Sequence, residues 1–441
     1  MFTLTIIILA VFVAAYVLAN FKLKLSVELS MFVSAIVASI VGGIILPDVN
    51  RLELLLPLRH IAEGSATYID LILIFFFATF FMNIIKESGG LTLMARGILS
   101  ISGFRPLALL LVMVLMLIPG AITGAGSVSV LVAGSTAALV LSRIGVSRDR
   151  ITAMIFFLAG LAAVCPPVSI WAMLICGGTG VPYVGFELPL LWPVLVCGLF
   201  VSLWLGLRKT ADVNDAEELP KVPNGMNFLR LAIPFLVLIV LFMAPRLVKF
   251  VIPTLGLPLV FLISAAVALL CAPKSAKINP LKLAEGTLAQ LLPLMTTMIV
   301  VGVFIQILSV TGVRGLVSFA IIALPIQAML ISLIVVNPIT EGVLGFGGAA
   351  VIGIPLVWTL SSRGYNQALP LVIAGLSLLW ALGDALPPTA IIFRMTKQTV
   401  NYQGSYGQFL KRSIVPWVFV TAIAFVLIYF GGDIVNWPIW G

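Results

Sequence analysis

Two carboxyl groups stand among the apolar residues of the second half of this chain. Glu341 precedes the glycine-rich run GVLGFGG, and Asp384 precedes a pair of prolines. An acid within a bilayer costs roughly 2.5–3.5 kcal/mol on insertion scales, so an acid kept there usually has a function. These two carboxyl groups fit the binding of a proton or of a cation such as Na⁺. The alternative is a structural ion pair with Arg394, which lies nearby in the sequence.

Glycine-rich interruptions occur within two of the apolar runs, at residues 119–134 and 337–355. A helix that stops in mid-membrane leaves backbone groups that need protein, water or a ligand as a partner. Its N-terminus suits a carboxylate, whereas unwound carbonyls and hydroxyl oxygens suit Na⁺. Glycines that serve only close helix packing are the alternative. The candidate binding residues in these stretches are Thr123, Gly124, Gly126, Ser127, Thr340, Glu341, Gly345 and Gly347.

A second kind of interruption is a pair of adjacent prolines, which occurs once in each half of the chain. Proline has no amide donor and blocks the preceding helical turn, so two in succession interrupt a membrane helix. A structural kink is the alternative, but a hydroxyl residue follows each pair, and the same break in both halves favours a binding role. The candidate residues at these breaks are Pro166, Pro167, Ser169, Asp384, Pro387, Pro388 and Thr389.

The amino-acid composition shows whether these residues lie in water or in a lipid bilayer. Apolar residues make up 61% of the 441-residue chain, charged residues only 9%, and the mean hydropathy is +1.23. Soluble globular proteins do not keep this balance. The predicted fold class is an all-α polytopic membrane protein with about 10–12 transmembrane segments, because helices satisfy their own backbone groups in lipid. The first apolar segment, residues 2–21, is predicted to be a transmembrane helix rather than a signal peptide.

The breaks of the first half recur in the second half at a constant spacing. Pro387-Pro388 follows Pro166-Pro167 by 221 residues, and Gly345-x-Gly347 follows Gly124-x-Gly126 by the same 221. This order predicts an internal duplication. The predicted units are a first transmembrane repeat (1–207), a polar linker (208–226) and a second transmembrane repeat (227–441).

The duplication has two further features. About five crossings in each half favour inverted repeats, each with a broken or re-entrant helical hairpin. The acids are not duplicated, because Gly120 and Ala163 stand where Glu341 and Asp384 stand in the second half.

At these residues the chain resembles the large membrane subunit (DctM-like permease) of TRAP transporters. More broadly it resembles the ion transporter superfamily, which also contains dicarboxylate/sodium symporters, gluconate permeases and lactate permeases. The run EGVLGFGG is similar to the E-G-x-x-G-F-G run of lactate permeases, and Glu341 departs from the TRAP pattern. By position, the resemblance carries the family's ion and substrate residues onto Gly124, Ser127, Pro166, Ser169, Gly345, Gly347, Pro388 and Thr389.

The resemblance implies an elevator mechanism and Na⁺-driven uptake of an organic acid, typically a C4-dicarboxylate. It also implies an extracytoplasmic substrate-binding protein and a small permease subunit as partners, although no small subunit is fused to this chain.

The function expected from the residues and the resemblance together is secondary active transport of a small organic anion, coupled to Na⁺ or H⁺. We expect no cofactor beyond a coupling Na⁺, a position in the inner membrane of a prokaryote, contact with membrane lipid, and a homodimer. The net charge of +9 is expected to anchor helix ends rather than to bind nucleic acid. The single histidine and the absence of metal-ligand spacing argue against an enzyme. A non-transport membrane subunit and a channel are the alternatives.

Overall fold

The computed structural model describes residues 2–45, 56–208, 221–247, 255–364, 366–387 and 389–435. Every regular element in these residues is helical, and nine helices there are long and apolar enough to cross a membrane. The predicted all-α polytopic fold is therefore confirmed. Most of the predicted linker, at 209–220, and the predicted site residue Pro388 lie outside the described residues.

The first half begins with a helical hairpin and continues into a series of shorter and broken helices. A π-helical turn (Leu18–Lys22) extends α1, and another (Val130–Gly134) joins α7 to α8. The helices are α1 (Phe2–Val17), α2 (Val27–Ile45), α3 (Leu56–Ala66), α4 (Ile69–Glu87), α5 (Gly90–Ser100), α6 (Arg105–Thr123), α7 (Gly126–Ser129), α8 (Ser135–Arg143), α9 (Arg148–Val164), α10 (Ile170–Thr179) and α11 (Glu187–Gly206).

The second half repeats this order, with α14 in the place of α3 and α4. A π-helical turn (Ala349–Gly353) precedes α17, and 3₁₀ turns lie at Lys274–Ala276 and Asn366–Ala368. The helices are α12 (Phe228–Leu247), α13 (Leu257–Cys271), α14 (Pro280–Val310), α15 (Val313–Ile322), α16 (Ile326–Leu344), α17 (Ile354–Ser362), α18 (Leu369–Gly383), α19 (Ile391–Thr399), α20 (Tyr406–Tyr429) and α21 (Gly431–Ile434).

Two helical hairpins position the glycine-rich stretches. We name α6 to α8 hairpin 1 and α16 to α17 hairpin 2. Each follows a short helix, α5 or α15, and precedes a helix broken at its proline pair, α9–α10 or α18–α19. With one crossing each for α4, α9–α10, α11, α12 and α13 and an even number for a hairpin, the order agrees with the predicted inverted repeats.

The helices divide into an outer scaffold and an inner group. In the scaffold α1 packs on α2, α12 on α13, and α14 against α2, α3 and α4. In the inner group α9 crosses α18, and almost every residue of both helices is buried. Helices that are apolar all round in this way are stable only inside other protein or lipid. The inner group carries the hairpins and both proline breaks.

The two repeats are interlocked through their broken helices. The half-helix α10 of the first repeat packs against the π turn and α17 of hairpin 2. Reciprocally, α19 of the second repeat packs against α7 and the π turn of hairpin 1. Residues distant in sequence are therefore brought together at the two hairpin tips.

Candidate functional site

Each hairpin reverses at a glycine with positive φ, a backbone conformation that favours glycine. Gly124 ends α6 with φ 70° and ψ 7°, in the left-handed region. Gly345 ends α16 with φ 57° and ψ −144°, a region that essentially only glycine occupies. The tips are also closely packed, because a Cβ on Gly126 would lie 2.5 Å from the carbonyl oxygen of Ala159. A Cβ on Gly347 would lie 2.9 Å from Cε of Met31 in the scaffold.

The hairpin and the proline break are joined by the same backbone hydrogen bond in both repeats. The amide of Val168 donates to the carbonyl of Ala121 at 3.1 Å, and the amide of Thr389 donates to the carbonyl of Gly342 at 3.1 Å. Both donors and both acceptors are related by the 221-residue spacing. In the second repeat the Thr389 hydroxyl adds a bond to the same Gly342 carbonyl at 3.0 Å.

The two acids meet where hairpin 2 contacts the second proline break. Glu341, on the last turn of α16, packs against Gly383, where a Cβ would lie 2.5 Å from the Glu341 Cβ. Asp384 follows Gly383 directly and lies within electrostatic range of Glu341. Both side chains are completely buried. The structure therefore places two buried carboxyl groups near each other.

A tryptophan from the first repeat completes this cluster. The indole Nε1 of Trp171, on α10, donates a hydrogen bond to Oε1 of Glu341 at 3.1 Å. Its ring also packs on Phe346 at the tip of hairpin 2, with centroids 6.1 Å apart. Sequence reasoning did not identify Trp171, because the contact joins residues 170 positions apart in different repeats. Its position two residues after Ser169 was the only local signal.

The polar atoms of the cluster are largely without partners. Among the described residues, Oε2 of Glu341 and both carboxyl oxygens of Asp384 have no hydrogen-bond partner. Asn337 lies one turn before Glu341, is completely buried, and leaves both its amide oxygen and nitrogen without a partner. Ser169 Oγ is buried and unpartnered as well. Native proteins satisfy most buried polar groups, so these atoms are candidates for contact with a bound ion, water or ligand.

The structural ion pair with Arg394 is not formed in the described part of the chain. Neither carboxyl group lies within ion-pairing distance of that guanidinium. Arg394 instead lines a cavity of about 400 Å³ at the tip of hairpin 2, together with Gly345 and Thr389. The scaffold side of this cavity includes Lys24. Lys24 lies between two leucines, so nothing in the local sequence indicated that it would line this cavity.

The remaining predicted residues take positions around the two tips. Thr123 donates to the carbonyl of Pro119 at 2.7 Å, and Thr340 donates to the carbonyl of Asn337 at 2.9 Å. Both hydroxyls therefore bond to their own helix. The other predicted residues differ in solvent exposure. Gly124 and Gly126 are buried, Ser127, Pro166 and Pro167 are half-buried, and Pro387 is exposed.

No protein-family model and no curated protein matches this chain. Two solved structures are similar to it over most of its length. The YdaH transporter of Alcanivorax borkumensis is 13% identical with a TM-score of 0.56, covering 89% of this chain and 90% of that one. MtrF of Neisseria gonorrhoeae, described with a class of antimetabolite efflux pumps, is 13% identical with a TM-score of 0.62, covering 91% and 94%. At this identity the likeness establishes a shared fold.

Proposed function

We propose that this protein is a secondary active transporter of small organic anions. The observation that carries the proposal is the buried, largely unpartnered polar cluster between hairpin 2 and the second proline break, which borders the elements lining the cavity at Gly345. Two solved structures of transporters share the fold. A binding function explains why breaks, acids and unpartnered atoms occur together, which a packing role alone does not.

The charges around the cavity support an anionic substrate. Lys24 and Arg394 line it from the scaffold and from α19, and the one acid in its lining, Glu28, accepts a hydrogen bond from Thr297 at 3.1 Å. Two cationic side chains across one cavity suit a ligand with two carboxylates, such as a C4-dicarboxylate. The cavity volume of about 400 Å³ is ample for such a molecule.

The proposed mechanism is of the elevator type, coupled to Na⁺ or H⁺. The inner group with both hairpins would move against the scaffold of α1–α4 and α12–α14. Following the TRAP resemblance, we include in this proposal the inner membrane of a prokaryote, a homodimer, an extracytoplasmic binding protein and a small permease subunit.

Export is the second candidate function, favoured by the fold that this chain shares with MtrF.

Proteoliposomes test the proposal. We expect radiolabelled succinate to accumulate, or to be expelled, only under an imposed Na⁺ or proton gradient. A dicarboxylate flux that is insensitive to both gradients contradicts secondary transport and favours a channel, and no flux for any organic acid in a broad panel contradicts transport of this class.

A paired substitution tests the hairpin tip. Gly345→Leu is expected to abolish flux without changing expression, because φ 57° with ψ −144° is closed to leucine. Gly185→Leu is the matched control, since Gly185 also has positive φ (99°) but no neighbouring atom meets its Cβ. Equal flux in the two variants would show that the tip of hairpin 2 is not part of the path.

A further inference from the structure

The acid pair occupies a position where the two repeats differ in side-chain size. In the first repeat Gly120 faces Ala162, and a Cβ on Gly120 would overlap that of Ala162. The residues at the matching positions 221 later are Glu341 and Gly383. In the second repeat the larger residue is therefore Glu341 on the hairpin, and Gly383 on the opposite helix leaves space for its carboxyl group. The fold thus accommodates an acid at this position through a matched change in both partners.

The surrounding residues form few hydrogen bonds that could stabilise ionised forms of these two acids. Of its four carboxyl oxygens, Oε1 of Glu341 alone accepts a hydrogen bond, from Trp171, among the described residues. Burial of an ionised carboxylate costs several kcal/mol unless charge and hydrogen bonds offset the loss of water. Two carboxylates that share one site repel each other as well, so that they do not both ionise. The doubly ionised pair is therefore strongly disfavoured here.

Among the described residues, no basic side chain forms an ion pair with either acid. From α1, Tyr16 donates to the carbonyl of Val343 at 2.6 Å, and from α20, Tyr406 donates to the carbonyl of Ala385 at 3.0 Å. From α2, Glu28 is itself acidic, and α10 carries no basic residue. From α19, Arg394 lies outside ion-pairing distance of both acids. Lys411 and Arg412 of α20 are exposed, whereas both acids are buried.

A proton removes one of the two buried charges without needing further ligands, because a protonated carboxyl group is neutral and can itself donate a hydrogen bond. One Na⁺ carries the same single charge but needs several oxygen atoms around it.

We propose that Glu341 and Asp384 share a proton and form the proton-coupling site of the transporter, with Trp171 as the residue that positions Glu341. One carboxylate takes up one proton when the pair is accessible from one side of the membrane. The same proton leaves when the pair is accessible from the other side, and no other bond forms or breaks. The use of this proton in transport rests on the proposed function, whereas its binding does not.

Infrared spectroscopy tests proton binding directly, without a substrate. The full-length protein in detergent, at neutral pH and without Na⁺, is expected to show the carbonyl stretch of a protonated carboxyl group. The chain has sixteen acids, and an exposed one is ionised at this pH. The band is expected to disappear in E341Q/D384N and to persist in E28Q, which removes the other acid near hairpin 2. Adding excess NaCl is expected to leave it unchanged.

The single variants keep the test decisive if the double variant does not fold. E341Q and D384N each retain one buried acid beside a neutral amide, so each is expected to shift the band. W171F is expected to shift the band too, because the hydrogen bond to Oε1 of Glu341 is lost, and W204F at the exposed Trp204 is the control.

Three outcomes overturn the inference: no band at neutral pH, a band that NaCl removes, or a band that is unaffected by all of these substitutions. Flux in proteoliposomes separates this inference from the proposed function. A band without any flux keeps the proton site and rejects transport, whereas flux without a band keeps transport and rejects this site.

Discussion

Single side chains decide where charge is held in this protein. Glu341 has its carboxyl group in the interior because Gly383 leaves room for it, and Trp171 from the other repeat orients one of its oxygens. Asp384 has no hydrogen-bond partner for its carboxyl group in the described residues. A neutral isostere at either position leaves one buried acid in place of the pair and changes little in its shape.

The residue-scale prediction concerns pH. With acid outside and Na⁺ absent, wild-type liposomes are expected to accumulate succinate, and raising the external pH to that of the lumen is expected to abolish accumulation. In E341Q and D384N the accumulation ratio is expected to fall toward one, because the gradient no longer drives the cycle. Exchange of labelled for unlabelled substrate is expected to fall less than accumulation does. Equal accumulation in E341Q, D384N and wild type would contradict the prediction.

One arginine joins the ends of three helices. Arg105 begins α6, and its guanidinium donates to the carbonyls of Gly206, Ile144 and Arg208 at 2.8, 2.8 and 3.1 Å. These carbonyls lie at or just beyond the C-termini of α11 and α8, where helices have unsatisfied acceptors and a partial negative charge. One cation thus ties the start of hairpin 1 to its own end and to the neighbouring helix.

The element-scale prediction follows from this contact. Arg105→Ala is expected to lower the free energy of unfolding by about 1–2 kcal/mol, which is less than three full charged hydrogen bonds because the side chain is half exposed. Arg105→Lys is expected to retain only part of this stability, since an ammonium group does not reach three diverging carbonyls at once. Chemical unfolding in detergent, followed by tryptophan fluorescence, measures both. An Arg105→Ala protein as stable as wild type would show that the contact contributes nothing.

The whole molecule is arranged around a pseudo-two-fold relation between its repeats. Gly160 on α9 faces Ala381 on α18, where a Cβ would lie 3.2 Å from the Ala381 carbonyl oxygen. These two residues are themselves 221 positions apart, so equivalent positions touch each other, as they do next to a two-fold axis. The reciprocal packing of α10 on hairpin 2 and of α19 on hairpin 1 has the same origin.

The whole-molecule prediction concerns movement of the inner group. Hairpin 2 meets the scaffold where Gly347 packs against Met31. In a protein whose four native cysteines are replaced, cross-linking M31C with G347C is expected to reduce flux to the background of empty liposomes, and reductant is expected to restore it. Cysteine at position 31 is shorter than methionine and leaves room for the second thiol.

A cross-link within the scaffold is the matched control for this experiment. Gly42 on α2 lies next to Thr311 at the end of α14, where a Cβ would be 3.1 Å from Cγ2 of the threonine. Cross-linked G42C/T311C is expected to keep its flux, because both positions belong to the fixed part. Full flux in cross-linked M31C/G347C would exclude an elevator movement of hairpin 2 past α2.

Much of the architecture was determined by the sequence alone. The apolar runs predicted helices in lipid, and the regular elements of the described residues are all helical. The breaks were also predictable, because proline and glycine act on the backbone of their own segment. The 221-residue spacing needed no structure either, since it is a property of the order of residues.

Only the tertiary structure decided which breaks meet and what the acids face. The sequence left Arg394 open as a partner for the acids, whereas the fold gives Glu341 a tryptophan from the other repeat and leaves Asp384 unpaired in the described residues. Such contacts depend on matched side-chain sizes across crossing helices, as between Glu341 and Gly383. Local propensity carries no information about a neighbour many residues away, so this part of the site required the packed chain.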